Sequence, residues 1–234
     1  MNWISYLLIL IAIAGIYLLN AKIRRSRQLA YIKKYHFHKA IRDKITRKHP
    51  QLNEDQVHLI FRALRDYFWM CNKGKRRMVA MPSQVVDDAW HEFILFTRSY
   101  KAFCNKALGR FLHHTPTEAM STPTLAQEGI KRAWRLACAK ELINPANPTR
   151  LPLIFAIDSM LNIPNGFTYT LNCQDKNSPA YGEGYCAGHI GCSAGCAGDA
   201  AVDTGSGGFF DGLFDSSGCG ADCGGGCGGG CGGD

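Results

Sequence analysis

The chain has 234 residues and a formal net charge of +8, from 27 Lys/Arg and 19 Asp/Glu. With an apolar run near one end and a low-complexity tract at the other, one domain of about 120 to 150 residues is expected. The charge is split: residues 1–173 carry 26 Lys/Arg and 11 Asp/Glu (+15), whereas residues 174–234 carry one Lys and eight acids (−7). A basic body with an acidic tail fits self-association of the two or separate partners. No nucleic-acid-binding motif accompanies the basic body, so specific nucleic-acid binding is not expected. There is no P-loop, dinucleotide fingerprint, G-x-S-x-G elbow or HExxH.

In chain order, Trp3 to Leu19 is a run of 17 residues without a charge, and the uncharged stretch continues to Ala21. As a helix it spans about 25 to 30 Å, enough to cross a bilayer, and Trp3, Tyr6 and Tyr17 suit interfacial positions. Residues 1–21 are predicted to be a retained transmembrane anchor. A cleaved signal peptide fits poorly, because no Lys or Arg precedes the run and no small-x-small site follows it. Lys22 to Lys48 then holds 11 Lys/Arg and a single acid, Asp43. That asymmetry places the N-terminus outside and the body in the cytoplasm, and the same cations can attract anionic lipid headgroups at about 1 kcal/mol each. Tyr31, Ile32, Tyr35, Ala40, Ile41 and Ile45 recur with helical spacing, so residues 22–50 read as a basic, largely helical juxtamembrane segment.

Residues 51–172 are predicted to form a compact helical domain. Asn53 and Gln56 make a capping box, with Leu52 as a staple, for a helix whose face is Val57, Ile60, Phe61, Leu64, Tyr67, Phe68 and Cys71 and whose stop is Gly74. Lys73 to Arg77 reads as an exposed basic loop. Ser83 caps the next helix after Pro82. Val86, Trp90, Phe93, Ile94, Thr97, Tyr100, Cys104 and Leu108 line one face of it, Gly109 ends it, and a break is expected near Thr97 to Ser99. Thr122-Pro123 opens a further helix with Leu125, Ile130, Ala133, Trp134, Ala137, Cys138 and Leu142 on its face. Leu151 to Leu161 reads as a short buried helix carrying Asp158, and Thr168 to Thr170 as a brief extended piece. No run alternates long enough to demand a sheet, so the fold class is all-α.

Within the central stretch Asp87 and His91 lie four residues apart on one helix edge, with Asp88 three from His91. His113 and His114 follow the Gly109 stop, and a helix–turn can bring that loop back beside His91. Histidines beside carboxylates make a metal shell or an acid–base pair; a plain helix-edge ion pair with two surface histidines satisfies the same pattern. Cys104 falls on the core face and reads as a small buried hydrophobe, as does Cys71.

The run D-D-A-W-H ending at His91, Y-K-A-F-C from Tyr100 to Cys104, and L-G-R-F-L-H-H-T-P from Leu108 to Pro116 resembles the glycine-rich domain-containing protein family over residues 50 to 172. The resemblance maps that family's W-H pair to Trp90 and His91 and its cysteine to Cys104. It implies a helical domain and no particular enzymatic activity.

Residues 173–234 form a Gly/Cys-rich low-complexity tail. The final 57 residues hold 20 of the 25 glycines and seven of the 11 cysteines. With little apolar area to offset the ordering of each backbone residue at about 1–2 kcal/mol, the tail is expected to be disordered unless clamped. Cys192 and Cys196, then Cys219, Cys223, Cys227 and Cys231, recur with a period of four. Thiolates suit zinc or Cu(I), with His189 available between Cys186 and Cys192, and a flexible repeat without fixed ligands fits as well. The sequence thus indicates a single-pass, cytoplasm-facing protein acting as a non-enzymatic interaction or metal-binding module. It would take zinc or another metal that prefers thiolate or imidazole ligands, with the tail as a protein-binding segment. The alternative is a metal-dependent enzyme with a His/Asp site around His91 and His113.

Overall fold

The longest helix, α1, runs unbroken from Trp3 to Lys34, through Gly15 and with no proline along it. The computed structural model describes residues 3–114, 123–171, 185–187 and 190. After α1 come α2 (Lys39–Lys48), α3 (Glu54–Lys73), α4 (Gln84–Leu95), α5 (Thr97–Ala107), α6 (Pro123–Glu141) and α7 (Leu153–Met160). The described residues contain only one strand pair, β1 (Tyr169–Thr170) running parallel to β2 (Tyr185–Cys186). The all-α expectation therefore holds, with the extended piece at Thr170 finding a short partner.

α1 is long and apolar enough to cross a membrane, and its apolar residues are exposed. Its last third belongs to the domain. Ile32 is buried, the Arg25 guanidinium donates to the carbonyls of Asn72 (3.1 Å) and Lys73 (3.0 Å) at the end of α3, and Asn72 Nδ2 donates to Gln28 Oε1 (3.1 Å) and to the Ala107 carbonyl (2.8 Å). Residues 22–50 are thus no mere connector, since Ile32, Phe37, Ile41 and Ile45 all enter the same core as the rest of the domain.

α3 is the hub against which α1, α2, α4, α6 and α7 pack. It starts with the full capping box of Asn53 and Gln56, which satisfies two orphan amides of its first turn. The α4 start is built from two places in the chain. Ser83 Oγ accepts from the Val86 amide (3.2 Å) and donates to Asp158 Oδ1 (2.7 Å), while the Asp158 carboxylate also accepts from the amides of Gln84 (2.7 Å), Val85 (3.2 Å) and Phe167 (2.9 Å). Asp158 is 2 % exposed. Four donors and the positive end of the α4 dipole compensate a charge that burial alone would penalise heavily.

The expected break in the central stretch falls at Phe96, beside Thr97, and α5 begins at Thr97 without a side-chain cap. Gly109 ends the segment at φ +69°, and a Cβ there would lie 2.7 Å from an Arg24 guanidinium nitrogen. The left-handed backbone is what favours glycine here, since the Arg24 side-chain tip could move aside. α6 starts at Pro123 as expected but stops at Glu141. Leu142 takes φ +58° and is exposed, so it leaves the helix face assigned to it.

Replacing Asp158 by Ala leaves three donors at the α4 start and the Phe167 amide without this acceptor. We expect a loss of about 3 kcal/mol or more in urea-induced unfolding; a loss below about 1 kcal/mol would show that the capping carboxylate is dispensable.

Candidate metal centre

Positions 87, 88 and 91 lie on the first turns of α4, and successive residues of a helix point about 100° apart. The Asp87-Asp88 doublet is consequently split between two directions. Asp88 turns inward and is buried, accepting from Lys48 Nζ (2.7 Å), His49 Nε2 (2.9 Å) and Gln84 Nε2 (3.3 Å). That cluster ties α4 to the end of α2 and has nothing to do with His91. Asp87 turns to the other edge and meets His91, with Nδ1 3.3 Å from Oδ2.

The third member arrives from beyond α5. Trp90 Nε1 donates to the Tyr100 hydroxyl (3.1 Å), and that hydroxyl donates to the Leu112 carbonyl (2.6 Å). Trp90 and Tyr100 are both buried, so this relay fixes the backbone of the segment after Gly109 over the face of α4. His114 then lands with its ring edge-on to Trp90 at 4.7 Å and 4.2 Å from the His91 ring, centroid to centroid. Its Nε2 lies 3.1 Å from Asp87 Oδ1. Asp87, His91 and His114 thereby bring one ligand atom each within 4.8 Å of one another.

The three side chains are unequally covered: His91 is 51 % exposed, Asp87 21 % and His114 18 %. Burial raises the Asp87 pKa above the ordinary carboxylate range, and the two imidazoles only partly oppose that shift. The cluster therefore holds a carboxylate whose charge is incompletely compensated, with His91 its most exposed member. Asp87 meets the two imidazoles through different oxygens, Oδ2 toward His91 and Oδ1 toward His114, and one ligand atom from each residue falls within 4.8 Å of the others. A tetrahedral zinc, whose ligands lie about 3.3 Å apart, would need the half-exposed His91 side chain to draw inward.

His113 does not join. It is exposed and packs edge-on against Phe111 at 4.8 Å, so of the two adjacent histidines only His114 faces Asp87. Cys104 and Cys71 are buried in the core with thiol pKa values pushed up by burial, that of Cys71 to about 12. They are neutral fillers and not ligands. His189 and the tail cysteines Cys192, Cys196, Cys219, Cys223, Cys227 and Cys231 lie outside the described residues. Sequence reasoning missed the roles of His49 and of the Tyr100 hydroxyl; the one available signal was that adjacent aspartates on a helix cannot both face His91.

A protein-family model described as UCP032817-like matches residues 27–190. That covers more than half of the chain, and the chain belongs to the UCP032817-like family. The match begins inside α1 and ends at Ile190, so it comprises the helical domain and the start of the Gly/Cys-rich tail and leaves out the apolar run and residues 191–234. It overturns the resemblance to the glycine-rich domain-containing proteins. Much of what carried that resemblance has a packing reason: Trp90, Tyr100 and Cys104 are core residues and Gly109 answers to backbone geometry. No curated protein and no solved structure matches the chain significantly.

Tyr100→Phe keeps the ring and removes the hydroxyl between Trp90 and Leu112. It should destabilise the domain by about 1–3 kcal/mol and increase hydrogen exchange of amides 110–114. Unchanged exchange there would mean that the segment is held by packing alone.

Proposed function

We propose that this member of the UCP032817-like family is a single-pass membrane protein whose cytoplasm-facing helical domain binds one divalent transition-metal ion through Asp87, His91 and His114. The observation that carries this reading is the convergence of three ligand atoms, from α4 and from the segment beyond α5, on an under-compensated carboxylate. Two imidazoles and a carboxylate suit zinc and neighbouring first-row metals, whereas calcium and magnesium prefer all-oxygen shells. A cation in the cluster would replace the repulsive desolvation of Asp87 with direct coordination.

The membrane placement draws on the exposed apolar two-thirds of α1 and on the cations that follow it. Lys/Arg density immediately after the run favours a cytoplasmic domain, and residues 22–48 would add attraction to anionic lipid. One observation favours a second reading, metal-dependent hydrolysis: three protein ligands with a solvent-facing fourth position is the coordination of catalytic zinc sites rather than structural ones.

In the reduced full-length protein, His91→Ala and Asp87→Asn should each remove one equivalent of zinc by elemental analysis while leaving helicity intact. Metal content unchanged in both variants would refute the site. Because the ionised Asp87 is disfavoured by burial in the metal-free protein, Asp87→Asn should leave metal-free stability the same or raise it, by up to about 1 kcal/mol. A large loss would make Asp87 a structural acceptor instead. A reporter fused after Asp234 should be active only on the cytoplasmic side, and activity confined to the outer side would reverse the topology.

A further inference from the structure

We propose that a basic groove where α1 enters the domain binds the phosphate of one anionic phospholipid headgroup from the bilayer that α1 spans; this rests on the membrane reading above. From Trp3 to Ala21 the helix rises about 28 Å, close to the hydrocarbon thickness of about 30 Å. Lys22 and the residues after it therefore stand at headgroup level. The groove begins there, against Tyr17, Asn20 and Ala21, and climbs onto the domain. Its volume of about 690 Å³ falls within the range of small-ligand sites, about 300–1,000 Å³.

Six cationic residues line it, Lys22, Arg24, Arg25, Lys75, Arg76 and Arg110, and no acidic residue lies among those lining it. They come from three separate parts of the chain: α1, the loop after α3, and the segment after α5. Their backbone supports are fixed. Arg25 is committed to the carbonyls of Asn72 and Lys73, Arg110 donates to the Lys75 carbonyl (2.6 Å), and Lys75 itself sits at φ +58°. The absent Cβ of Gly109 lets Arg24 lie against the α5 terminus.

Of the six, Arg25 and Arg110 are tied by backbone hydrogen bonds and cannot swing apart without giving them up, while the exposed Lys22, Arg24, Lys75 and Arg76 side chains are free to turn toward an anion. An anion in the groove relieves the repulsion between these like charges. Guanidinium groups suit phosphate oxygens in particular, through paired N–H donors. On the opposite flank of α1 a second groove shares Asn20, Arg24 and Gln28 and adds Arg27 and Lys106, again without an acid. The helix thus emerges from the bilayer through a cationic collar, as a headgroup site requires and a site for a soluble ligand does not.

The test uses full-length protein in nanodiscs of phosphatidylcholine with a minor fraction of phosphatidylglycerol, released into detergent and weighed by native mass spectrometry. The wild type should retain one phosphatidylglycerol in preference to phosphatidylcholine. Lys75→Gln with Arg76→Gln should reduce that retention about tenfold or more, whereas Arg98→Gln with Lys101→Gln, on the exposed face of α5, should leave it unchanged. Equal loss in both double variants would reduce the effect to overall charge and overturn the site. Retention of both lipids alike, or displacement by millimolar inorganic phosphate, would overturn the headgroup assignment. Release of the protein from membranes by alkaline carbonate would overturn the span, a failure distinct from that of the groove.

Discussion

The Tyr100 hydroxyl is the point on which the site depends. It accepts from Trp90 on α4 and donates to the Leu112 carbonyl beyond α5, so one oxygen joins three consecutive pieces of the chain. A buried hydroxyl left unpaired costs about 1–3 kcal/mol, and here both its donor and one acceptor position are used. Gly109 turns the chain out of α5, and the relay decides where the turned chain comes to rest. Without it, His114 would be one more polar residue on a surface segment; with it, the imidazole stands beside Asp87 and His91.

Three carboxylates on or against α4 show how the same group serves different ends according to its partners. Asp158 accepts four hydrogen bonds at the helix start, and Asp88 accepts from Lys48, His49 and Gln84 on the side facing α2. Both are fully served and act as rivets that fix the height and rotation of α4. Asp87 has only two imidazoles, one of them half exposed, and its pKa is raised. It is the one carboxylate of the three that the fold leaves under-compensated, and it is the one with histidines arranged around it. That contrast supports a cation as the missing partner.

Local signals were legible and long-range ones were not. The capping box at Asn53 and Gln56, the Ser83 cap, the Gly109 stop and Pro123 at a helix start all appear where short-range chemistry put them. The pairing of Asp158 with the α4 start spans more than 70 residues, and no local pattern announces it. The break at Phe96, beside the expected Thr97 to Ser99, carries no polar side-chain cap. Of the candidate ligands, Asp87 and His91 followed from helical spacing. The choice of His114 over His113 depended on the orientation of a non-helical segment, which the Tyr100 relay sets and spacing cannot. α1 was legible as apolar, but its continuation into the core as one rigid helix depended on contacts of Arg25, Gln28 and Ile32 with distant residues.

The central claim is that the helical domain, through imidazole and carboxylate, supplies a metal site of its own. X-ray absorption fine structure of the zinc-saturated, reduced full-length protein tests it most directly, compared with a variant carrying His91→Ala and His114→Ala. The account predicts a nitrogen/oxygen shell at about 2.0–2.1 Å with imidazole scattering in the wild type, absent from the variant. A shell of sulfur alone at about 2.3 Å, identical in the two proteins, would place the metal on cysteines and contradict it.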